Sequence, residues 1–432
     1  MLYYSTNRKA PAAGLREAVT RGLAPDNGLY MPERIPALPD HFYATLRGKS
    51  LQEISFEVAF QFFGDDIPAA DLKRIVEESL NFPIPLVPVK DNLFSLELFH
   101  GPTLAFKDVG ARFMARLLGY FIHGENRQIN VLVATSGDTG SAVANGFYKV
   151  PGIHVFILYP SGLVTPTQEK QFTTLGENIT AIEVEGKFDD CQRLVKEMFL
   201  DEEVNRQMVL TSANSINLAR LLPQSFYYFY GYAQTKKGKE VVCSVPSGNF
   251  GNLCAGLIAK RMGLPIIKFL AATNVNDVVP EFLNTGVYRP RESVPTLSNA
   301  MDVGNPSNFA RIYDLYHQSV EAMRKDMVGY RYTDDQTRQI ICDVYNQTGY
   351  LLDPHGAIGY KALEEYLAHH ADCQGFFIET AHPAKFTEIM SSIIHQPIEI
   401  PPSLKKLLEG EKRTVKIKNN RDELKQFLLS HS

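Results

Sequence analysis

Apolar and polar positions in the first 90 residues follow the spacing of helices. Apolar residues recur every three or four positions over residues 50–64 and 69–80, as expected for helices with one buried face. Residues 82–89 are rich in proline and are predicted to be extended, because proline disfavours helical backbone at the residue before it. The pattern therefore predicts a helix-rich N-terminal domain over residues 1–90.

From about residue 90 the pattern changes to strands, glycine-containing loops and helices in turn. Continuous apolar runs predict buried strands at 129–135 and 153–160, and alternation predicts a third strand at 179–186. An amphipathic helix is predicted at 188–200, after the third strand. This succession is typical of a parallel sheet with helices on both faces, so the sequence predicts an α/β fold.

The order of these elements divides the rest of the chain into two α/β domains. We assign residues 91–128 and 235–432 to a large domain, and residues 129–234 to a smaller domain. After about residue 404 the chain becomes strongly charged, which indicates a solvated C-terminal appendage on the large domain.

Composition and charge narrow the functional class. The chain has 432 residues, of which 44% are hydrophobic and 21% charged, with a net charge of −4, as in ordinary soluble proteins. No basic cluster indicates nucleic acid, and no apolar run has the length of a membrane span. The five cysteines lack Cys-x-x-Cys spacing, and the histidines lack metal-ligand spacing. We expect a cytoplasmic enzyme without nucleic-acid or membrane partners and without a bound metal.

Lys107 is the first candidate for chemistry, because it begins a predicted helix directly after three apolar residues. Burial and the positive end of the helix dipole both disfavour the ammonium form, so the pKa of Lys107 would be lowered. The free amine would then attack a carbonyl group and form a Schiff base. The alternative is that the stem of Lys107 packs on Phe106 while its ammonium group extends to solvent. These residues alone leave both interpretations open.

A second candidate is the loop SGNFGN at residues 247–252, between a predicted strand and a predicted helix. Glycines let the backbone turn tightly and approach a ligand, and the N-terminus of the following helix offers unpaired N–H groups. These features are typical of a phosphate-binding loop, although the lysine of a Walker loop and the G-x-G-x-x-G pattern are absent from it. A tight turn that binds nothing is the alternative. The candidate binding residues are Gly248, Asn249, Phe250, Gly251 and Asn252.

The loop TSGDTG at residues 135–140 has the same setting between a strand and a helix. Its backbone N–H groups and hydroxyl groups suit a carboxylate ligand. Asp138 would repel an anion, so its side chain is expected to point elsewhere or to cap the helix at Ser141. The candidate substrate-binding residues are Thr135, Ser136, Gly137, Asp138 and Thr139.

Near the C-terminus, a predicted strand ends in the sequence ETAHPAKF at residues 379–386. Ligands of α/β sheets bind at the carboxyl ends of strands, so Thr380 is placed to offer a neutral hydrogen bond. His382 is interpreted as a turn residue rather than a ligand. A lysine of lowered pKa, a phosphate-binding loop and a loop for a carboxylate together match the needs of a pyridoxal-phosphate enzyme that acts on an amino acid.

Seven motifs, in their order and spacing, resemble the threonine synthase family. They are HGPTLAFKD, TSGDTG, SANSINLARLL, SVPSGNFGN, AATNVNDVVP, LSNAMDV and ETAHPAKF. Together with GLAPDNGLYMP near the start, they extend the resemblance over nearly the whole chain, which looks like the longer branch of the family. The resemblance implies the tryptophan-synthase-β-like fold type II of pyridoxal-phosphate enzymes, with pyridoxal 5′-phosphate as cofactor.

The resemblance also implies roles for single residues. Lys107 matches the lysine that binds the cofactor as a Schiff base, and residues 248–252 match the loop that binds its phosphate. Thr380 matches the group that hydrogen-bonds its pyridine nitrogen, and the TSGDTG loop matches the loop for the substrate carboxylate. Many relatives with this fold have Asn where this chain has Asp138, so the partner of the cofactor's ring hydroxyl is left open.

The implied reaction converts O-phospho-L-homoserine and water into L-threonine and phosphate, with Lys107 moving protons as general base and acid. The leaving phosphate is a dianion that needs cationic or hydroxyl partners. Ser215, Asn217 and Arg220, at a junction between a loop and a helix, are the candidates. An alternative places Arg220 on the surface of an amphipathic helix. The protein is expected to be a monomer or a homodimer.

Two other functions agree with the same motifs. A serine or threonine dehydratase of this fold would use the same cofactor, but it would need no second phosphate site. A non-catalytic homologue that binds a phosphorylated ligand would be expected to lack the Schiff-base lysine, whereas Lys107 stands in an intact motif. The motif therefore favours an enzyme, and the resemblance favours the synthase.

Overall fold

The computed structural model describes residues 1–124 and 128–431. Residues 125–127, which fall in the first segment predicted for the large domain, and Ser432 lie outside the described residues. Within the described ranges, no helix is long and apolar enough to cross a lipid bilayer.

The first 80 residues combine helices with a small three-stranded antiparallel sheet. The helices predicted at 50–64 and 69–80 are confirmed. Ser50 fixes the start of the first one, because its Oγ accepts a hydrogen bond of 3.2 Å from the N–H of Glu53. The sequence does not predict the sheet, since its strands are only two to four residues long. The elements are β1 (Leu2–Ser5), β2 (Ala13–Gly14), α1 (Leu15–Arg21), β3 (Tyr30–Pro32), α2 (Asp40–Thr45), α3 (Leu51–Phe63) and α4 (Ala69–Ser79).

Residues 86–234 alternate strands and helices, as predicted. The three predicted strands are confirmed to within one residue, and the helix predicted at 188–200 has these same bounds. The elements are β4 (Leu86–Lys90), β5 (Leu93–Glu97), α5 (Lys107–Ile122), β6 (Ile129–Ala134), α6 (Asp138–Phe147), β7 (Ile153–Pro160), α7 (Pro166–Thr173), β8 (Ile179–Glu185), α8 (Phe188–Leu200), α9 (Glu202–Gln207), β9 (Val209–Thr211), α10 (Leu218–Leu221) and α11 (Gln224–Gln234).

The remaining residues continue this alternation and end in a strand and a helix. Two short 3-10 helices, Asn299–Met301 and Pro383–Phe386, lie in loops between the longer elements. The elements are β10 (Glu240–Pro246), α12 (Gly251–Arg261), β11 (Ile266–Thr273), α13 (Val278–Thr285), α14 (Phe309–Leu315), α15 (Val320–Asp326), β12 (Met327–Arg331), α16 (Asp334–Thr348), α17 (Pro354–Ala368), β13 (Cys373–Glu379), α18 (Thr387–Ile394), α19 (Pro402–Leu408), β14 (Val415–Lys418) and α20 (Arg421–Leu429).

The larger sheet has six strands in the order β12-β11-β10-β13-β5-β4. All neighbouring pairs are parallel except β4 and β5, which are antiparallel and place Leu86 opposite Leu96. The boundary predicted at residue 90 is therefore too late, because β4 already belongs to this sheet. Its proline, Pro88, is compatible with pairing because β4 is an edge strand, where backbone N–H groups need no second partner strand.

The smaller sheet has five parallel strands in the order β14-β8-β7-β6-β9. Its edge strand β14 comes from the charged C-terminal segment, which the sequence assigned to the large domain as a solvated appendage. This segment instead pairs with β8, and α20 packs its buried Leu424 and Leu428 against α8 and α9. Charged residues far outnumber the few apolar positions that anchor the segment, so the sequence pattern does not indicate its packing.

Aromatic packing fixes the position of α5, the helix that begins at Lys107. The ring of Phe113 lies 5.3 Å from that of Phe63 and 5.7 Å from that of Phe226, measured between ring centroids. These rings join α5 to the N-terminal helix α3 and to α11 in one buried apolar cluster. The first turn of α5 is therefore held in place from two sides, next to the carboxyl ends of the strands.

Candidate active site

Loops at the carboxyl ends of parallel strands from the six-stranded and the five-stranded sheet line one cavity. This is where ligands of open α/β sheets bind. Of the residues predicted from the sequence, the following lie on the cavity wall: Lys107, Ser136, Asp138, Thr139, Ser215, Arg220, Gly248, Asn249, Phe250, Gly251, Asn252 and Thr380. Thr135, Gly137 and Asn217 do not line it.

Lys107 is the first residue of α5, and its side chain faces the cavity. Its Nζ atom lies 5.7 Å from the centroid of the Phe106 ring. Burial lowers the pKa of Lys107 to about 8; the negative charge of Asp138 opposes this shift, and the positive charges of Arg220 and Lys385 add to it. The Lys107 side chain is partly buried, and the surface that it exposes belongs to the wall of this cavity. With this pKa, about a tenth of the Lys107 population carries a free amine at pH 7 and about half at pH 8.

The SGNFGN loop joins β10 to α12 and has the geometry of an anion-binding cradle. Phe250, directly before α12, has a left-handed backbone with φ 59°. A Cβ atom on Gly248 would lie 2.5 Å from the carbonyl oxygen of Ala300, so only glycine lets the backbone pass there. Asn252 closes the loop, since its Nδ2 donates to the carbonyl of Pro246 at 2.8 Å. The first turn of α12 contains no acidic residue, so its N–H groups face the cavity without a competing negative charge.

Ser215 connects this cradle to the segment before α10. Its Oγ accepts hydrogen bonds from Asn249 Nδ2 at 2.8 Å and from Asn308 Nδ2 at 3.0 Å. A Cβ atom on Gly251 would lie 3.0 Å from the Cβ of Ser215, so the two segments are in close contact. The Ser215 hydroxyl still has its own proton to donate towards the cavity.

The TSGDTG loop keeps its shape through two residues that do not reach the cavity. Thr135 Oγ1 accepts hydrogen bonds from the N–H groups of Gly137 at 2.9 Å and of Gly140 at 2.8 Å. Gly137 has φ 138°, and a Cβ atom there would lie 2.4 Å from Cδ of Gln168. The structure therefore gives Thr135 and Gly137 a role in loop geometry. Ser136 supplies a polar group on the cavity wall from this loop.

Of the two alternatives for Asp138, capping of the helix at Ser141 is wrong, and the side chain is directed to other partners. The residue before α6 is Gly137, and it makes no capping hydrogen bond through a side chain. The Oδ1 of Asp138 instead accepts from Lys385 Nζ at 2.7 Å and from Gln168 Nε2 at 2.9 Å. Burial alone would raise the pKa of Asp138, but Lys385 and Lys107 hold it below its usual range. Asp138 is thus a buried carboxylate.

Arg220 is a buried residue of the cavity wall, and the alternative of a surface position is wrong. Its side chain is only 3% exposed, and Nη1 donates to the carbonyl of Ala213. Its Nε has no hydrogen-bond partner among the described residues. Burial lowers the pKa of Arg220 to about 10, against the raising effect of Asp108. A buried guanidinium group thus lines the cavity, with its Nε beside Gly110 of α5.

Asn217 lies below the cavity and is fully buried. Its Oδ1 accepts from the N–H of Ala219 at 2.9 Å, which caps α10, and its Nδ2 donates to the carbonyl of Val19 at 2.9 Å. The structure does not bring Asn217 to the cavity, because these bonds use both ends of its amide. Its contribution is to position Arg220, which lies on the short helix that Asn217 caps.

Thr380 follows β13 and lies on the cavity wall. Its carbonyl accepts a hydrogen bond of 2.9 Å from the N–H of Phe106, which ties the segment before Lys107 to the end of β13. His382 caps the 3-10 helix that follows, with Nδ1 accepting from the N–H of Ala384 at 3.1 Å. The interpretation of His382 as a turn residue is confirmed.

His355 also lines the cavity, although no sequence pattern singles it out. The N–H of Ala300 donates to Nε2 of His355 at 3.3 Å, while Nδ1 lies 2.6 Å from a carboxylate oxygen of Asp353. Nε2 thus acts as an acceptor and Nδ1–H as a donor. The only local signal is the sequence Asp353-Pro354, which marks a helix start and does not indicate a cavity.

Glu379, directly before Thr380, gives a testable consequence for stability. Burial and the nearby Asp353 raise its pKa well above its usual value, so the folded protein holds a proton that the unfolded chain releases. The unfolding free energy should therefore fall as pH rises above about 4.5, and Glu379→Gln should remove this part of the pH dependence. Urea unfolding between about pH 5 and pH 8 measures it. Equal pH slopes in Glu379→Gln, in the exposed control Glu33→Gln and in the wild type would contradict the prediction.

Three family models together match residues 2–428 of the chain. The model "Pyridoxal-phosphate dependent enzyme" matches residues 81–374. "Threonine synthase N terminus" matches residues 2–80, and "Threonine synthase, C-terminal" matches residues 356–428. The second model ends just before β4, in agreement with the pairing of that strand in the larger sheet.

Individual relatives agree with these models. Threonine synthase of Haemophilus influenzae is 43% identical over 431 residues, which cover 99% of this chain and 100% of that protein. The crystal structure of threonine synthase from Escherichia coli matches with a TM-score of 0.95 at 39% identity and covers 100% of both chains. The structure of threonine synthase with bound pyridoxal phosphate from Brucella melitensis matches with a TM-score of 0.93 at 37% identity and covers 100% of this chain and 99% of that one.

The cavity fits the cofactor that the family binds, pyridoxal phosphate. Glycine at position 248 lets the backbone of the cradle pass close to the carbonyl oxygen of Ala300, and the first turn of α12 carries no acid that would repel a phosphate. Lys107 supplies a reactive amine, and Thr380 supplies a neutral polar group on the same wall. The fold type II architecture implied by the motifs is confirmed. This chain belongs to the threonine synthase family of pyridoxal-phosphate dependent enzymes.

Proposed function

We propose that this protein converts O-phospho-L-homoserine and water into L-threonine and phosphate, the last step of threonine biosynthesis. The observation that carries the proposal is the presence of two separate anion sites around one lysine. The cradle at residues 248–252 suits one phosphate, and the positive charge of the buried Arg220 on the same cavity wall suits another. A substrate that carries its own phosphate explains why a second site exists beside that of the cofactor.

Cofactor binding is assigned to three parts of the cavity wall. The N–H groups of Gly248, Asn249, Phe250, Gly251 and Asn252 would hold the phosphate, Lys107 would bind the reactive carbon, and Thr380 would face the pyridine nitrogen. When bound, pyridoxal phosphate supplies an electron-withdrawing ring that stabilises negative charge on the substrate's carbon atoms. A neutral hydroxyl at Thr380 leaves the ring nitrogen largely unprotonated.

Substrate binding is assigned to the remaining polar groups. Ser136 and Thr139, with the backbone of the TSGDTG loop, would bind the substrate carboxylate at the N-terminus of α6. Ser215 and Arg220 would bind the phosphate of the substrate through charge-assisted hydrogen bonds. Asn217 supports this site indirectly, since it caps the helix that carries Arg220.

Lys107 is assigned the proton transfers. With a pKa of about 8, its amine can accept the proton from Cα and return a proton at Cγ after phosphate has left. Removal of a proton from Cβ precedes loss of phosphate, and water then adds at Cβ. Water has to be kept out until that last step, which requires that the two walls of the cavity close on the substrate.

Product analysis tests this proposal. Purified protein with pyridoxal phosphate should release phosphate from O-phospho-L-homoserine and form L-threonine in equal amounts. A 2-oxo acid formed from serine or threonine, without any threonine from the phosphorylated substrate, would overturn the proposal in favour of a dehydratase. Absence of any turnover with loaded protein would overturn it in favour of a non-catalytic homologue.

The proposal extends to the setting and organisation of the protein. We place it in the cytoplasm, where its five cysteines would stay reduced, as they are in the structure. A monomer or homodimer without nucleic-acid or membrane partners is expected. The proposed units are a helix-rich one that ends before β4, a large one around the six-stranded sheet and a smaller one around the five-stranded sheet, which takes in β14 and α20.

A further inference from the structure

Lys385 is a second lysine at the active site, and no part of its side chain is exposed to solvent. Its Nζ donates to Oδ1 of Asp138 at 2.7 Å and to the carbonyl oxygen of Thr103 at 2.8 Å. Three distant segments therefore meet at one ammonium group: the TSGDTG loop, the turn before Lys107 and the C-terminal motif. A fully buried lysine is rare and costly unless it is paired.

Helix α7 encloses this ion pair with further hydrogen bonds. Gln168 Nε2 donates to Oδ1 of Asp138 at 2.9 Å, and Gln171 Nε2 donates to the carbonyl of Thr103 at 3.0 Å. Both glutamines are buried, with exposed fractions of 0% and 2%. The pair is thus fixed by the surrounding structure and separated from bulk water, so its charges act over short distances with little screening.

The position of this pair matters because Asp138 lines the same cavity as Lys107, the lysine that has to lose its proton. A carboxylate near Lys107 stabilises the ammonium form, and Asp138 is the group that raises the pKa of Lys107 against the effect of burial. Lys385 acts in the opposite direction on the same lysine. The charged and titratable groups that face Lys107 or share its cavity wall are Asp138, Arg220, Lys385, Asp302 and His355.

We propose that Lys385 is a positioning residue that neutralises Asp138 and thereby keeps Asp138 from pairing with Lys107. Asp138 is then free to hold the first turn of α6 in place through Gln168 and Lys385, while the Lys107 amine stays available for proton transfer. This inference rests on the proposed role of Lys107 but not on the identity of the substrate. It assigns a role to a lysine within the motif ETAHPAKF, at its seventh position.

The test measures the protonation of Lys107 in protein freed of cofactor. Trace acetylation with acetic anhydride at a series of pH values, followed by mass spectrometry of the Lys107 peptide, gives the pKa of this amine. Lys385→Met should raise that pKa by about one unit or more, and Asp138→Asn should lower it. The double variant, which removes both charges, should return it close to the wild-type value. The exposed Lys73, in the same digest, is the internal reference.

The two opposite shifts distinguish this role from a merely structural one. Loss of local structure would move the pKa of Lys107 in the same direction in both single variants, and that result would overturn the inference. An unchanged pKa in Lys385→Met would overturn it as well. If Lys385→Met does not fold, the test compares Asp138→Asn with the double variant. Asp138→Asn leaves the positive charge of Lys385 without its partner, and the double variant removes that charge, so the pKa of Lys107 should be higher in the double variant. The pKa measurement uses no substrate. Failure of the product analysis would therefore concern the proposed reaction, whereas an unshifted pKa would concern the role of Lys385.

Discussion

Replacing Lys107 by alanine should lower the rate of threonine formation by about 10³-fold or more, since both the amine that binds the cofactor and the group that moves protons are lost. Among the described residues, no second lysine lines the cavity. Lys385 is buried in its bonds to Asp138 and Thr103, so it cannot replace Lys107. Steady-state turnover of O-phospho-L-homoserine by the Lys107→Ala variant and by wild type measures the effect.

Two controls accompany this variant. Lys73→Ala, at an exposed position, should keep full activity. In protein freed of cofactor, the unfolding free energy of the wild type should increase as pH rises from about 8 to 10.5. In this range Lys107 binds fewer protons in the folded protein than in the unfolded chain. Lys107→Ala should lack this increase while it keeps a native circular-dichroism spectrum. Undiminished threonine formation by a folded Lys107→Ala protein would refute the assigned role.

Arg220→Gln should lower kcat/KM for O-phospho-L-homoserine by about 30- to 1,000-fold, which corresponds to a loss of ~2–4 kcal/mol for a buried charged contact. Gln keeps much of the volume and a donor to the carbonyl of Ala213, but it removes the positive charge that would meet the phosphate. Cofactor binding should change little, because the phosphate of the cofactor is assigned to residues 248–252. Kinetics with the phosphorylated substrate and titration with pyridoxal phosphate measure the two effects separately.

Arg220→Lys is the conservative control for this prediction. It keeps the charge and loses the planar fork of donors, so its activity should lie between those of wild type and Arg220→Gln. Inorganic phosphate, the other product, should inhibit the wild type more strongly than Arg220→Gln. The assignment of Arg220 fails if Arg220→Gln turns over the substrate normally and responds to phosphate as the wild type does.

The elements that make up the sheets were predictable from the local pattern of apolar and polar positions. Strands such as β7 are continuous apolar runs because they are buried on both faces, and helix α5 has its apolar residues at helical spacing because one face packs against Phe63 and Phe226. The C-terminal strand was harder to recognise. In β14 only Ile417 is buried, and three exposed residues accompany it, so charge dominates the pattern of this edge strand.

The site was predictable where a glycine or a lysine stands in an unusual local setting, as at Gly248 and Lys107. It was not predictable where the role depends on a distant segment. Lys385 gains its role from Asp138, which lies 247 positions earlier in the chain. His355 reaches the cavity because α17 begins beside the 3-10 helix Asn299–Met301, and no local pattern encodes that meeting. Resemblance identified the motifs, but the contacts among them appear only in three dimensions.

The place of β14 in the smaller sheet has a consequence for how the protein is made. This strand pairs with β8, which is more than 200 residues earlier, and it covers an edge that would otherwise offer unpaired backbone groups. During synthesis, β8 leaves the ribosome long before residues 415–418 are translated. The nascent chain therefore passes through a long interval with an open sheet edge, in which a chaperone or a neighbouring nascent chain competes for the position that the protein's own C-terminal strand finally takes.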